Sequence, residues 1–146
     1  MKIISTNKKA HRNYEIIDKY EAGIELLGWE VKSARTNSID ILNAFCSIYK
    51  GEMYLKEAYF KQYMHVKADE FRDRKLLLHK NEICKIKFAT ESQSLTIIPL
   101  KMYFNSSSRI KVEIALAKGL KKYDKRQKII KDEVNKKLNK LINSYK

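Results

Sequence analysis

TIIPLKMYF (96–104) and RIKVEIALA (109–117) decide the fold class of this chain. In the second stretch Ile110, Val112, Ile114 and Leu116 alternate with Lys111, Glu113 and Ala115. That two-residue period is the mark of a half-buried strand. In the first, Thr96, Ile98, Leu100, Met102 and Phe104 fall on one face of a strand. Asn105 to Ser108 makes the turn between them. Pro99, the only proline, has no N–H to give a ladder and so marks an edge or a bulge.

Working outward from this pair, the rest of the chain reads mostly as short strands. YEIIDKYEAGIELL (14–27) reads as two strands with a break near Ala22–Gly23, and Gly28 ends the second. WEVKSAR (29–35) is long enough for one or two helical turns, and Thr36, Asn37 and Ser38 read as loop. AFCSIY (44–49) and MYLKEAYF (53–60) flank Lys50–Gly51–Glu52 and predict a hairpin, with the glycine supplying a positive φ. Lys61 to Arg74 is polar and charged and reads as a mobile loop. In LLLHKNEICKIKFATE (76–91), His79 with Glu82 three residues later starts a helix in the manner of a capping box, and Ile83 and Ile86 face the core. Many short strands with one or two helices predict a mainly β fold, a small closed or nearly closed antiparallel β-barrel.

The length suits one domain with a real core. The net charge of +14 is unevenly spread. From Lys118 on, eleven cations stand against Asp124, Asp132 and Glu133, so this segment alone carries +8. A segment so charged is repelled by other cations and drawn to a polyanion, and Tyr123 within it can stack on a base. Gly119 breaks the strand pattern, and beyond it Ile130, Val134, Leu138 and Leu141 fall at helical spacing on a basic background. Its many lysines and Asn135, Asn139 and Asn143 leave such a helix marginal alone in water. The organisation read here is a barrel over 1–118, with a basic lead-in over 1–12, and a basic tail over 119–146. Cys46 and Cys84 form no CxxC pair, sit in apolar surroundings and read as buried free thiols. His11, His65 and His79 make no metal spacing with them, and no cofactor is implied. The N-terminus has no signal-peptide pattern and no run reaches transmembrane length, which makes the cytosol the default expectation. No nucleophile–base arrangement, phosphate-cradling glycine loop or carboxylate cluster points to an enzyme.

Six blocks, in order, resemble the SsrA-binding protein (small protein B) family, the partner of transfer-messenger RNA in trans-translation. They are NKKAHRNY (7–14), EAGIELLGWEVKSAR (21–35), RKLLLHKNEI (74–83), IIPLKMYF (97–104), KVEIALAKG (111–119) and YDKR (123–126). The resemblance runs from Asn7 to about Lys131. It implies an OB-like barrel with a few short helices and a C-terminal tail that is disordered when free and forms a helix on the ribosome. It also implies that the barrel binds the tRNA-like domain of transfer-messenger RNA. The tail would enter the empty mRNA channel of a stalled ribosome and stand in for the missing codon–anticodon pair. A monomer without membrane attachment is expected.

The same resemblance assigns residues. Glu21, Leu77 and His79 match RNA-facing positions of the family. A carboxylate accepts paired donors from a guanine edge or orients a neighbouring cation, an exposed leucine packs on a ribose or base, and a histidine stacks or donates to phosphate. As solvated strand carboxylate, core leucine and helix cap, the three would need no RNA at all. Lys8, Lys9, Arg12, Lys32 and Arg35 are candidate phosphate contacts, each displacing condensed counterions. Trp29 reads as a core anchor. In the tail, Tyr123, Asp124, Lys125 and Arg126 match the family's decoding-centre motif, the ring stacking on a base and the cations meeting ribosomal RNA phosphates. Two departures stand out: Leu120 where the family has a lysine, and Val134 where it often has a tryptophan. The competing reading is a generic ribosome-associated OB-fold RNA-binding protein, which has no reason to keep GWEVKSAR and YDKR together. Membrane binding by the tail is disfavoured, since the tail has no Trp or Phe.

Overall fold

The computed structural model describes residues 2–64, 67–120, 130 and 133–140. Among the described residues up to Leu120, nine strands and three helices follow in the order β1 (Lys2–Thr6), α1 (Ala10–Asn13), β2 (Tyr14–Ile24), α2 (Gly28–Arg35), β3 (Ile39–Asp40), β4 (Phe45–Tyr49), β5 (Glu52–Lys56), β6 (Tyr59–Phe60), β7 (Arg74–Leu77), α3 (Lys80–Gln93), β8 (Thr96–Phe104) and β9 (Ile110–Gly119). Seven strands form one sheet in the order β1-β8-β4-β5-β7-β2-β9, with β8 also paired to β9, and β3 pairs with β6. Every pairing is antiparallel. The fold is mainly β with a few short helices, as expected. The β4–β5 hairpin turns where read, at Lys50 (φ 49°) and Gly51 (φ 76°), but the strand expected over 53–60 stops at Lys56, and Tyr59–Phe60 is β6, paired with β3.

β8 departs from the alternation expected of it. In β8 the register against β9 shifts between Pro99 and Lys101. The extra residue sends Ile98 and Leu100 to one side and Met102 to the other, so the single apolar face expected of 96–104 is split. Pro99 thus marks a bulge. Asn7 straps it, donating its side-chain amide to Pro99 O (3.1 Å) and its backbone N–H to Leu100 O (2.8 Å). The main core, with Met53, Leu55, Phe60, Leu76, Ile86, Met102, Val112 and Ile114, lies on one side of β8–β9. A small second core of Ala10, Ile98, Leu100, Ala115 and Ala117 lies on the other.

The break expected at Ala22–Gly23 is absent. β2 runs unbroken through both, and its irregularity is a bulge between Ile16 and Asp18. Gly23 stays in the ladder because it faces Leu77: a Cβ there would sit 3.3 Å from Leu77 Cβ. Gly28 opens α2 instead of ending a strand. The N-terminal lead-in is part of the fold, since β1 pairs with β8 and Ile4 and Ala10 are buried. Cys46 is buried but Cys84 is exposed on α3, contrary to the reading of both as buried. Ile83 and Ile86 face the core as expected, and the Glu82 carboxylate accepts the His79 backbone N–H at 3.3 Å. Trp29 is half-buried against the main core.

Arg74, expected in a loop, starts β7 and is fully buried with Glu30. Arg74 Nε donates to Glu30 Oε2, and Arg72 donates to Glu30 Oε1 at 2.6 Å. The remaining Arg74 donors reach Ala58 O (3.0 Å), Arg72 O (2.8 Å) and Glu70 O (3.1 Å), and its guanidinium lies 3.8 Å over the Phe60 ring. Burial holds the Arg74 pKa below its ordinary value, and the Glu30 carboxylate opposes that only in part. The network ties α2 to the irregular 57–73 connection.

Candidate nucleic-acid interface

β2 carries Glu21, β7 carries Leu77, and His79 is the residue from which α3 starts. The β2–β7 register sets Gly23 opposite Leu77, and α3 follows two residues after β7 ends. These three residues, remote in sequence, therefore line one groove of about 560 Å³. Lys75, Lys80 and Lys111 line the same groove, and so do Glu52 and Glu82. Lys75 is paired with Glu52 at 3.5 Å. Leu77 is 48% exposed, too open for a core leucine, because its position over Gly23 turns it outward.

Glu21 does not stand alone in solvent. The Tyr103 hydroxyl donates to Glu21 Oε2. Burial first, and then this hydrogen bond and the Glu21 charge, push the Tyr103 pKa up, so it stays a donor at neutral pH. Across the β2–β9 ladder Glu21 faces Glu113, which is held by Lys101 (3.6 Å) and Lys19 (3.9 Å). The result is a carboxylate with one oxygen positioned by Tyr103, beside an exposed leucine, an exposed imidazole and three lysines. It can accept base-edge or ribose donors while the lysines meet phosphates.

The groove is continuous with a second cavity of about 360 Å³ that shares Gly23, Leu77 and Lys111 and adds Arg35 and Arg109. Arg35 in turn reaches a third, with Lys2 and the turn residues Ser106 and Ser108. Arg35 thus joins the Glu21 surface. Lys32, exposed on α2, has its amino group 5.2 Å over the Tyr63 ring. Lys8, Lys9 and Arg12 lie apart from this groove. Lys9 lines a different cavity with Asn7, Asn13 and Tyr14, and Lys8 and Arg12 are exposed beside it in sequence. Leu120 N–H donates to Asn13 O, and Asn13 lines the same cavity as Lys9. Sequence reasoning missed Lys75, Lys80, Lys111, Arg109 and Tyr103. Single lysines on strands or at a helix start carry no signal of their own, and Tyr103 falls off the apolar face read for 96–104.

Tyr123, Asp124, Lys125, Arg126 and Leu141 lie outside the described residues. Of the tail stripe, Ile130 (57%), Val134 (49%) and Leu138 (51%) are exposed, and 133–140 is helical. Among the described residues no group of three or more His, Cys, Asp or Glu could hold a metal, and no helix is long and apolar enough to cross a membrane.

A family model described as "SmpB protein" matches residues 4–144. An SsrA-binding protein of Mycoplasmopsis synoviae (strain 53) is 62% identical over 142 residues, covering 97% of this chain and 99% of the relative. One from Thermosipho africanus (strain TCF52B) is 49% identical, covering 97% of each. A solved chain described under "tmRNA-SmpB: a journey to the center of the bacterial ribosome" is 39% identical with a TM-score of 0.68, covering 85% of this chain and 92% of that one. The six ordered sequence blocks, the β fold and the near full-length matches agree, and the chain belongs to the SmpB family of SsrA-binding proteins.

Proposed function

We propose that this protein is the RNA-binding partner of transfer-messenger RNA in trans-translation. Its barrel, OB-like in form, binds the tRNA-like domain of that RNA and accompanies it to stalled ribosomes. The basic tail then probes the decoding centre and the empty mRNA channel, so that translation resumes on the RNA's own tag-coding frame. The protein works in the cytoplasm, as a monomer, without a cofactor. The observation that carries this reading is the meeting of Glu21, Leu77 and His79 with Lys75, Lys80 and Lys111 in one groove of a family member. The groove offers a specificity element and a phosphate-neutralising one side by side.

The tail supports a separate role. Its described helix, 133–140, has every side chain exposed. A helix with an unburied apolar stripe is marginal in water, so free tail chains exchange with disordered ones and settle into helix where ribosomal RNA neutralises the lysines. The direct test is to isolate the protein from its own cells at gentle salt and sequence the RNA that accompanies it. One dominant transfer-messenger RNA is the expected result. A broad RNA mixture would turn the reading to a general OB-fold RNA-binding protein.

A further inference from the structure

The β4–β5 hairpin presents a second surface. Its inward side chains, Cys46, Met53 and Leu55, are buried in the main core. Its outward positions are Phe45, Ser47 and Tyr49 on β4 and Glu52, Tyr54 and Lys56 on β5. Phe45 is 40% exposed and Tyr49 60% exposed, and Tyr54 is half-buried. Tyr54 pairs with Ser47, midway between Phe45 and Tyr49. Tyr54 is therefore a diagonal neighbour of both Phe45 and Tyr49 across the ladder, about 7–8 Å from each at Cα.

Cations border the rings. Lys50 Nζ lies 5.3 Å from the Tyr49 ring centroid, Lys56 is opposite Phe45, and Lys75 is opposite Tyr54. The acid on this face, Glu52, is paired with Lys75. Lys75 also lines the groove of Glu21 and His79, so the two surfaces meet there. Solvent-facing aromatic rings on a strand pair, edged by lysines, suit a chain of unpaired bases: each base has a π-face to stack and each nucleotide a phosphate to neutralise.

We propose that the outer face of the β4–β5 hairpin, Phe45, Tyr49 and Tyr54 with Lys50, Lys56 and Lys75, is a stacking platform for unpaired RNA, adjoining the Glu21 groove at Lys75. The proposal rests on the protein's being an RNA binder but not on the groove's specificity. Charge selects RNA over a second copy of the chain, since two copies of this face would set lysines against lysines.

The experiment uses the full chain and an oligoadenylate of about ten nucleotides, read by fluorescence anisotropy. Tyr49→Ser weakens binding by roughly fivefold to a hundredfold, the range of one lost base stack, and Tyr49→Phe binds like wild type. Tyr49 is exposed, so folding survives its replacement. A combined Phe45→Ser, Tyr49→Ser and Tyr54→Ser variant loses more. Glu21→Ala weakens transfer-messenger RNA binding by a larger factor than oligoadenylate binding. Absence of oligoadenylate binding by the wild type, equal binding by Tyr49→Ser, or equal losses with Tyr49→Phe and Tyr49→Ser would each overturn the platform. So would a concentration-dependent dimer in sedimentation that Tyr49→Ser abolishes. If Glu21→Ala leaves transfer-messenger RNA binding intact while Tyr49→Ser still weakens oligoadenylate, the groove reading fails and the platform stands.

Discussion

Glu21 shows how one side chain acquires a role from its neighbours. A strand carboxylate in open water is interchangeable with others, but this one is oriented by Tyr103 and flanked by Leu77, His79 and three lysines. Glu21→Ala is expected to cost more affinity for transfer-messenger RNA than for random RNA, because a base-directed contact carries specificity and a phosphate contact does not. Lys8→Ala should weaken both alike. Tyr103→Phe removes the hydroxyl that fixes Glu21 and should reproduce part of the Glu21→Ala loss, with the same preference for the specific RNA. Parallel gel shifts with the two RNAs decide, and an equal loss of both RNAs in the Glu21 variant would reduce it to scaffold. Glu30 illustrates the opposite case, a carboxylate kept for structure. Glu30→Gln leaves the buried Arg74 cation without its partner and should destabilise the fold by about 3–5 kcal/mol in denaturant unfolding. A change below about 1 kcal/mol would mean that the carbonyls of Ala58, Glu70 and Arg72 suffice to hold Arg74.

At the scale of elements, we propose that the tail takes its stability from its partner. Ile130, Val134 and Leu138 bury little in the described structure, and roughly 1–2 kcal/mol of backbone entropy opposes each ordered residue. Its function should therefore separate from that of the barrel. Joint replacement of Asp124, Lys125 and Arg126 by Ala should leave transfer-messenger RNA binding nearly intact while blocking peptide tagging on stalled ribosomes. Tyr123→Ala should do so more mildly, by the loss of one stack of about 1–3 kcal/mol, and Tyr123→Phe hardly at all. A tagging assay on a stop-less message, run beside a gel shift, gives both readouts. Normal tagging by the triple variant, or loss of both activities together, would sink the idea of a separate decoding-centre probe.

For the whole molecule, the described sheet ends at the last rungs of β9. Tyr14 pairs with Gly119, and Leu120 N–H reaches Asn13 O. A chain ending at Leu120 keeps both and should fold and bind transfer-messenger RNA. Its affinity should fall with salt along a log–log slope of roughly −0.7 to −0.9 per phosphate neutralised. The full chain should show a steeper slope on ribosomes than the shortened one, since the tail's cations add counterion release. Collapse of specific RNA binding on this truncation would show that barrel and tail are not separable.

The sequence by itself determined the β class, the hairpin at Lys50–Gly51, the α3 start at His79 and the change of character at Gly119. Each rests on local chemistry: side-chain period, positive φ, capping and charge. It also determined the family, because ordered blocks of residues survive in one dimension. Tertiary structure alone decided where the strands slip. The bulge at Pro99–Leu100 divides the apolar residues of β8 between two cores, and no local pattern announces on which residue the ladder loses register. It alone kept Gly23 within β2, where Leu77 occupies the space a side chain would take. It alone made Arg74 a core residue, since a loop-like run of charges hides a cation whose partner lies 44 positions away. The groove belongs to the same class: Glu21, Leu77 and His79 could each be singled out along the chain, but the lysines and the tyrosine around them were brought there by strand pairing.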